Sequence, residues 1–285
     1  MTRQTTTSPG TKRTTEREFP HSNIVGLDKL SFRRSRWGGK AVLLAQLYQA
    51  GIPVPSGIVV GTEWFGQYCK TFLPKNDPQS RDELLTHLAT ATQSALHANK
   101  LENERLIARS SATPESCESK TLAGVFDSIV VDEVGSVKLA VRIVWDSALR
   151  QDLPKHIVPH RHKFPNMAVL LQKLISGSYA GVAHTTDVLG KRKNQIIIHY
   201  EEWRVGAVVN GTFHPFEASV NRKTEEVQKI NGPKHFALPL RSIAKCALQC
   251  EKLIGSPVEI EWVSGPSCLY VVQVRPLGAH NDSTH

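Results

Sequence analysis

No apolar run in this sequence approaches the ~20 residues that a membrane-crossing helix requires, which excludes an integral helical membrane protein. The chain opens Met1-Thr2-Arg3 and continues through polar residues, without the apolar core of a secretion signal, so secretion is not expected. Cysteine is sparse: five residues, an odd number, with no pairs at metal-ligand spacing. That argues against a disulfide framework and for a reducing compartment, with the cytoplasm as the expected location. A basic stripe interleaved with aromatic residues is also missing, so nucleic-acid binding is not expected.

What remains is globular material: 285 residues, 40% hydrophobic, enough for one large domain or two modest ones. The net charge is +9, from 35 Lys plus Arg against 26 Asp plus Glu. Much of it sits at the N-terminal end. Residues 1–36 hold eight basic side chains and three acidic ones, a balance of +5 that leaves +4 for the other 249 residues. With seven threonines in its first fifteen residues and almost nothing apolar, residues 1–20 read as a solvated, disordered leader. A basic tail that touches an acidic partner is the alternative.

From about His21 the pattern changes. Residues 41–50 predict a helix stopped by Gly51, and Pro53 and Pro55 predict an extended link into a buried strand over 57–61. Thr62 is the expected cap of a helix carrying Trp64 and Phe65, and Ser80 with Glu83 suggests a capping box before a long helix through Ala98. Strands are expected over 106–109 and 128–131, and a helix over 133–149. Further on, the strand candidates are 167–171, 180–184, 195–199, 206–209 and 213–220, then a helix over 240–253 and closing strands over 257–263 and 269–274. Helices and strands alternate early and antiparallel strands dominate late. The expected fold class is α+β, with two lobes.

Three constellations are candidates for chemistry. Gly38-Gly39-Lys40 precedes a helix, where glycines admit a phosphate, the helix N-terminus favours an anion and lysine adds a point charge. The GxxxxGK[ST] spacing of a Walker motif is absent, and a surface lysine after a turn is the plain alternative. Arg109-Ser110-Ser111 ends a strand, with a guanidinium fork and hydroxyls suited to phosphate oxygens; a salt bridge would explain the arginine equally well. On the closing strands, Glu259 and Glu261 alternate with apolar residues, as do Gln273 and Arg275. If a hairpin forms around Gly265-Pro266, a carboxylate, an amide oxygen and a guanidinium converge, a set suited to Mg²⁺ with a nucleotide. The competing reading is an amphipathic hairpin with a polar outer face. Cys246 with Cys250, His160 with His162, and Asp127 read as structural.

These signals occur in a familiar order. Residues 37–61, WGGKAVLLAQLYQAGIPVPSGIVVG, resemble the opening of the ATP-binding domain of phosphoenolpyruvate synthase and pyruvate phosphate dikinase. Residues 107–128, IARSSATPESCESKTLAGVFDS, are similar to that family's Arg-Ser-Ser-Ala segment and glycine loop, and 170–187, LLQKLISGSYAGVAHTTD, to its Val-Gln-Lys and Ala-Gly-Val strands. Residues 255–277, GSPVEIEWVSGPSCLYVVQVRPL, resemble its closing hairpin. The resemblance implies an ATP-grasp-like, two-lobed nucleotide-binding domain over residues 21–278, with a tail over 279–285. It implies that Lys40 and Arg109 hold phosphates, that a loop from Thr121 to Gly124 covers them, and that Gln172 lies near the adenine. Glu261 and Gln273 would bind Mg²⁺, and Arg275 would contact the phosphoryl group in transfer.

Two departures qualify the expectation. The family's Gly-Leu-Gly-Glu falls on Trp203-Arg204-Val205-Gly206, and its later Pro-Asp on Pro215-Phe216. No swivelling histidine domain or pyruvate-binding barrel is expected within the residues after Leu277. The function expected from the resemblance is an ATP- and Mg²⁺-dependent phosphotransferase. Its acceptor would be a small molecule or a partner protein carrying the phosphohistidine domain. The alternative is a catalytically impaired nucleotide-binding or scaffold subunit.

Overall fold

The structure is a computed structural model that describes residues 23–72, 76–113, 126–150, 166–187, 192, 194–202, 216–231, 239–265 and 267–277. Two antiparallel sheets organise them. The first has five strands in the order β1-β2-β5-β3-β4, from β1 (Ile24–Gly26), β2 (Gly57–Val60), β3 (Leu106–Ala112), β4 (Ser128–Val131) and β5 (Met167–Lys173). The second has six in the order β11-β10-β6-β7-β8-β9, from β6 (Tyr179–His184), β7 (Gln195–Glu202), β8 (Phe216–Asn221), β9 (Val227–Asn231), β10 (Val258–Ser264) and β11 (Leu269–Pro276).

Strand β2 and residues 167–171 of β5 are apolar without alternation, because both faces of the first sheet are covered there. Ile58, Val60, Val169 and Leu171 face a core built with α3 (Thr62–Lys70), α4 (Pro78–Ala98) and α5 (Val137–Ser147). Val59, Ala168 and Leu170 point the other way, into a second core. That core also holds α2 (Gly39–Gln49), α6 (Leu240–Ile254) and the apolar face of the six-stranded sheet, including Ile198, Ile260 and Val274. Helix α2 lies inside this layer, which is why it is apolar nearly all round. Among the described residues, four tryptophans are fully buried: Trp37 and Trp262 in this core, Trp64 and Trp145 in the other.

The expected helices and strands appear, with local differences. The N-cap of α4 is Asp77, whose carboxylate accepts from Ser80 N–H at 3.0 Å, with Pro78 at the first helical position. Ser80 is therefore inside the first turn and not the cap. Gly61 caps α3; Thr62 is its first residue and spends its hydroxyl on the Ser35 carbonyl. The helix expected over 133–149 is α5 preceded by a short 3₁₀ turn, Val134–Ser136. Strands β1 and β9 and the one-turn helix α1 (Arg34–Trp37) were not legible as separate elements. The strand expected over 206–209 lies outside the described residues, as do residues 213–215 of the one expected over 213–220, whose described part is β8.

Candidate functional site

Two sheets meet at one side chain. Arg109 leaves β3 on the face it shares with Leu170, and its side chain is only 11% exposed. Its Nη2 donates to Gln273 Oε1 at 2.6 Å and to Glu261 Oε2 at 3.3 Å, and its Nη1 donates to the Val272 carbonyl. That carbonyl is offered by a bulge: Glu261 pairs with Gln273 but Trp262 pairs with Val271, leaving Val272 out of register. Gln273 Nε2 closes the cluster by donating to Glu261 Oε1 at 3.0 Å.

The next rung of the same hairpin pairs Glu259 with Arg275. Arg275 Nη2 donates to Glu259 Oε2 at 2.7 Å, and its Nε lies 2.6 Å from Oε1. Glu259 also meets His184 Nε2 at 2.8 Å, across the pairing of β10 with β6. Burial pushes the Glu259 carboxyl up, yet the hydrogen bonds and charges of His184 and Arg275 outweigh it and hold the group below the usual carboxylate range. The four hairpin residues that the sequence aligned therefore do share one face, as two directly opposed pairs.

Lys40 stands half-buried at the start of α2. The Ser111 hydroxyl accepts from Ala41 N–H and donates to the Trp37 carbonyl, both at 3.0 Å. Ser111 and Arg109 are two apart on β3 and so share a face, which sets the Gly-Gly-Lys turn beside the strand end. Gly38 makes this docking fit: its φ is +73°, and a Cβ there would lie 1.8 Å from the Ser111 carbonyl oxygen. The Ser111 hydroxyl, expected among the phosphate donors, is thus committed inside the protein. Gln172 is buried and donates to the Pro55 carbonyl at 3.2 Å. Thr121 and Gly124 lie outside the described residues, as do Trp203 to Gly206, His160 and His162.

Asp127 is half-exposed, 3.6 Å from Arg150, and Cys246 and Cys250 are buried in α6. A surface cleft of about 400 Å³ lies elsewhere, between Arg33, Arg36, Thr62, Glu63 and Asn166. None of the candidate residues lines it. Two residues of the polar sheet face escaped sequence reading, His184 and His199. Their signal was weak because nothing local shows that β6 lies next to β10.

The donor chemistry can be tested against a divalent cation. Glu261 and Gln273 hold hard oxygens at one rung, and those oxygens already gather around a cation, the Arg109 guanidinium. The set fits Mg²⁺. No cluster of three or more His, Cys, Asp or Glu side chains suited to a metal occurs among the described residues. A magnesium ion here would complete its shell with ligand and water oxygens, as Mg²⁺ commonly does.

Comparison with known proteins bears on this arrangement. Residues 76–238 match the family described as pyruvate phosphate dikinase, AMP/ATP-binding domain. The chain is 24% identical to a probable phosphoenolpyruvate synthase of Methanocaldococcus jannaschii, over 89% of this chain and 26% of that protein. It is 23% identical to the uncharacterized phosphotransferase YvkC of Bacillus subtilis, over 84% of this chain and 33% of the relative. It is 24% identical to the prodigiosin synthesizing transferase PigC of Serratia marcescens, over 85% and 31%. The chain thus spans about a quarter to a third of the length of these relatives. With more than half of its residues inside the family match, the chain belongs to the pyruvate phosphate dikinase AMP/ATP-binding domain family.

Proposed function

We propose that this chain is an ATP- and Mg²⁺-dependent phosphotransferase. Lys40 and Arg109 would hold the phosphates, Glu261 and Gln273 would hold Mg²⁺, and Arg275 would contact the phosphoryl group in transfer. The bound cation would neutralise phosphate charge and orient the reacting phosphorus. Arg109, only 11% exposed, supplies a planar fork suited to phosphate oxygens, and partial burial strengthens a charge-assisted bond. Glu259 holds the Arg275 guanidinium through both of its oxygens. The observation that carries this reading is the convergence of Arg109 with Glu261 and Gln273, from two sheets and 152 or more residues apart in the chain.

The acceptor proposed is a small molecule, such as an amide, guanidine or carboxylate, with a partner protein's phosphohistidine domain as the second choice. The transferase named among the relatives supports the first. Titration calorimetry with Mg-ATP tests the site. Wild type should bind, and Lys40→Ala and Glu261→Ala should each weaken binding at least ~10-fold, the effect of losing one charge-assisted contact of about 1.4 kcal/mol or more. A wild-type protein that binds no nucleotide would sink the proposal.

A further inference from the structure

The sheet face that carries Glu261 and Gln273 also carries ionisable groups that the phosphate reading does not use. His184 ends β6 directly opposite Glu259, and the two side chains are 17% and 12% exposed. Glu259 is gripped from its other side by Arg275, so its position is fixed from both neighbouring strands. An ionised carboxylate can only accept, so the proton of a neutral His184 resides on Nε2 and the lone pair on Nδ1. Among the described residues, none hydrogen-bonds Nδ1. The arrangement is a base held in one tautomer by a half-buried carboxylate, itself oriented by a third group.

We infer that His184, oriented by Glu259, is the general base that takes the acceptor's proton during phosphoryl transfer. This inference rests on the phosphotransferase reading above. His184 and Glu261 are diagonal neighbours across β6 and β10, a spacing of about 7–8 Å. The imidazole and the Glu261–Gln273 pair therefore lie on the same polar sheet face, where an acceptor engaged by one is beside the other. In the step, the acceptor's O–H or N–H bond breaks and its proton passes to Nδ1. The freed electron pair forms the bond to phosphorus as the bond from phosphorus to the nucleotide's leaving oxygen breaks, and that oxygen keeps the electron pair. His184 ends as an imidazolium facing the Glu259 carboxylate, then loses its proton to water.

The charges around the imidazole suit this cycle. Glu259 on β10 stabilises the cation and Arg275 on β11 opposes it. From β7, His199 meets His184 edge to face with ring centroids 5.9 Å apart. His199 is itself 3.4 Å from Glu217 on β8, which Arg192 binds at 2.8 Å, with Asp187 3.7 Å from the same arginine. Only an imidazole with a free lone pair can take the acceptor's proton, so turnover should slow in acid.

The test uses the full chain in excess over Mg-ATP, with water as the acceptor, and follows ADP or AMP release in a single turnover from about pH 5 to 8. Wild type should show an acid limb. His184→Gln should bind Mg-ATP as tightly as wild type, turn over ~10²–10⁴-fold more slowly and lose the limb. Added imidazole should restore part of the rate to His184→Ala, whereas His199→Gln should keep both rate and limb. A His184→Gln protein with wild-type rate and limb overturns the inference alone. So does a wild type that binds Mg-ATP but releases neither ADP nor AMP. A wild type that binds no Mg-ATP overturns the phosphotransferase reading itself, and the base falls with it.

Discussion

One hydroxyl joins two segments seventy residues apart. Ser111 serves the carbonyl of Trp37 and the N–H of Ala41 from a fully buried position, so its removal leaves a donor and an acceptor without their partner. Ser111→Ala should cost about 1–3 kcal/mol, read as a lower urea midpoint at constant slope. Gly38→Ala should cost more, because the added carbon strikes the Ser111 carbonyl and the positive φ disfavours any side chain. The sequence showed that a glycine was needed at this turn but not what approaches it; the close neighbour is the protein's own strand. A second residue-level effect concerns acid. Burial raises Glu251, but its bonds to Arg222 and Thr185 outweigh that and leave its affinity for protons below the usual value. The folded carboxyl titrates below the unfolded one, so its stabilisation is complete above the unfolded value of about 4.3 and drains as pH falls through the folded value. Urea midpoints measured from about pH 6 to 3 should fall on that descent, and Glu251→Gln should flatten it.

At the scale of elements, the start of α4 depends on Asp77. Its carboxylate accepts from the third helical N–H while Pro78 occupies the position that needs no donor. Asp77→Ala should lower stability by about 1 kcal/mol, measurable by calorimetry, and Ser80→Ala should do less because its side chain is not the cap. The capping-box pattern at Ser80 and Glu83 misplaced this start by one turn, since Asp77 and Ser80 both suit a cap and only the backbone decides. The face shared by the closing hairpin's polar residues was legible from alternation, and the register sets Glu259 against Arg275 and Glu261 against Gln273; the bulge that leaves Val272 out of register was not. Alternation along one strand carries no information about its far neighbour. That is why β6, and with it His184, was absent from the site drawn from sequence.

At the scale of the molecule, Arg109 is a bolt between the sheets, holding a carbonyl, an amide and a carboxylate of the second from a strand of the first. A ligand that engages both sheets should stabilise the folded state by mass action, by about 2.7 kcal/mol at a hundred times its dissociation constant. Thermal unfolding with and without Mg-ATP should show that gain in wild type and little of it in Glu261→Ala. The α+β class and the family were legible because the motifs fall in order along the chain. The meeting of Arg109 with the hairpin was implied only by the family resemblance, since no spacing rule links positions on different sheets. The buried tryptophans have a further use. Trp37 and Trp262 report on one core and Trp64 and Trp145 on the other. Near-ultraviolet emission from variants keeping a single pair would show whether the layers melt together, and quenching by added acrylamide would show which layer a nucleotide tightens.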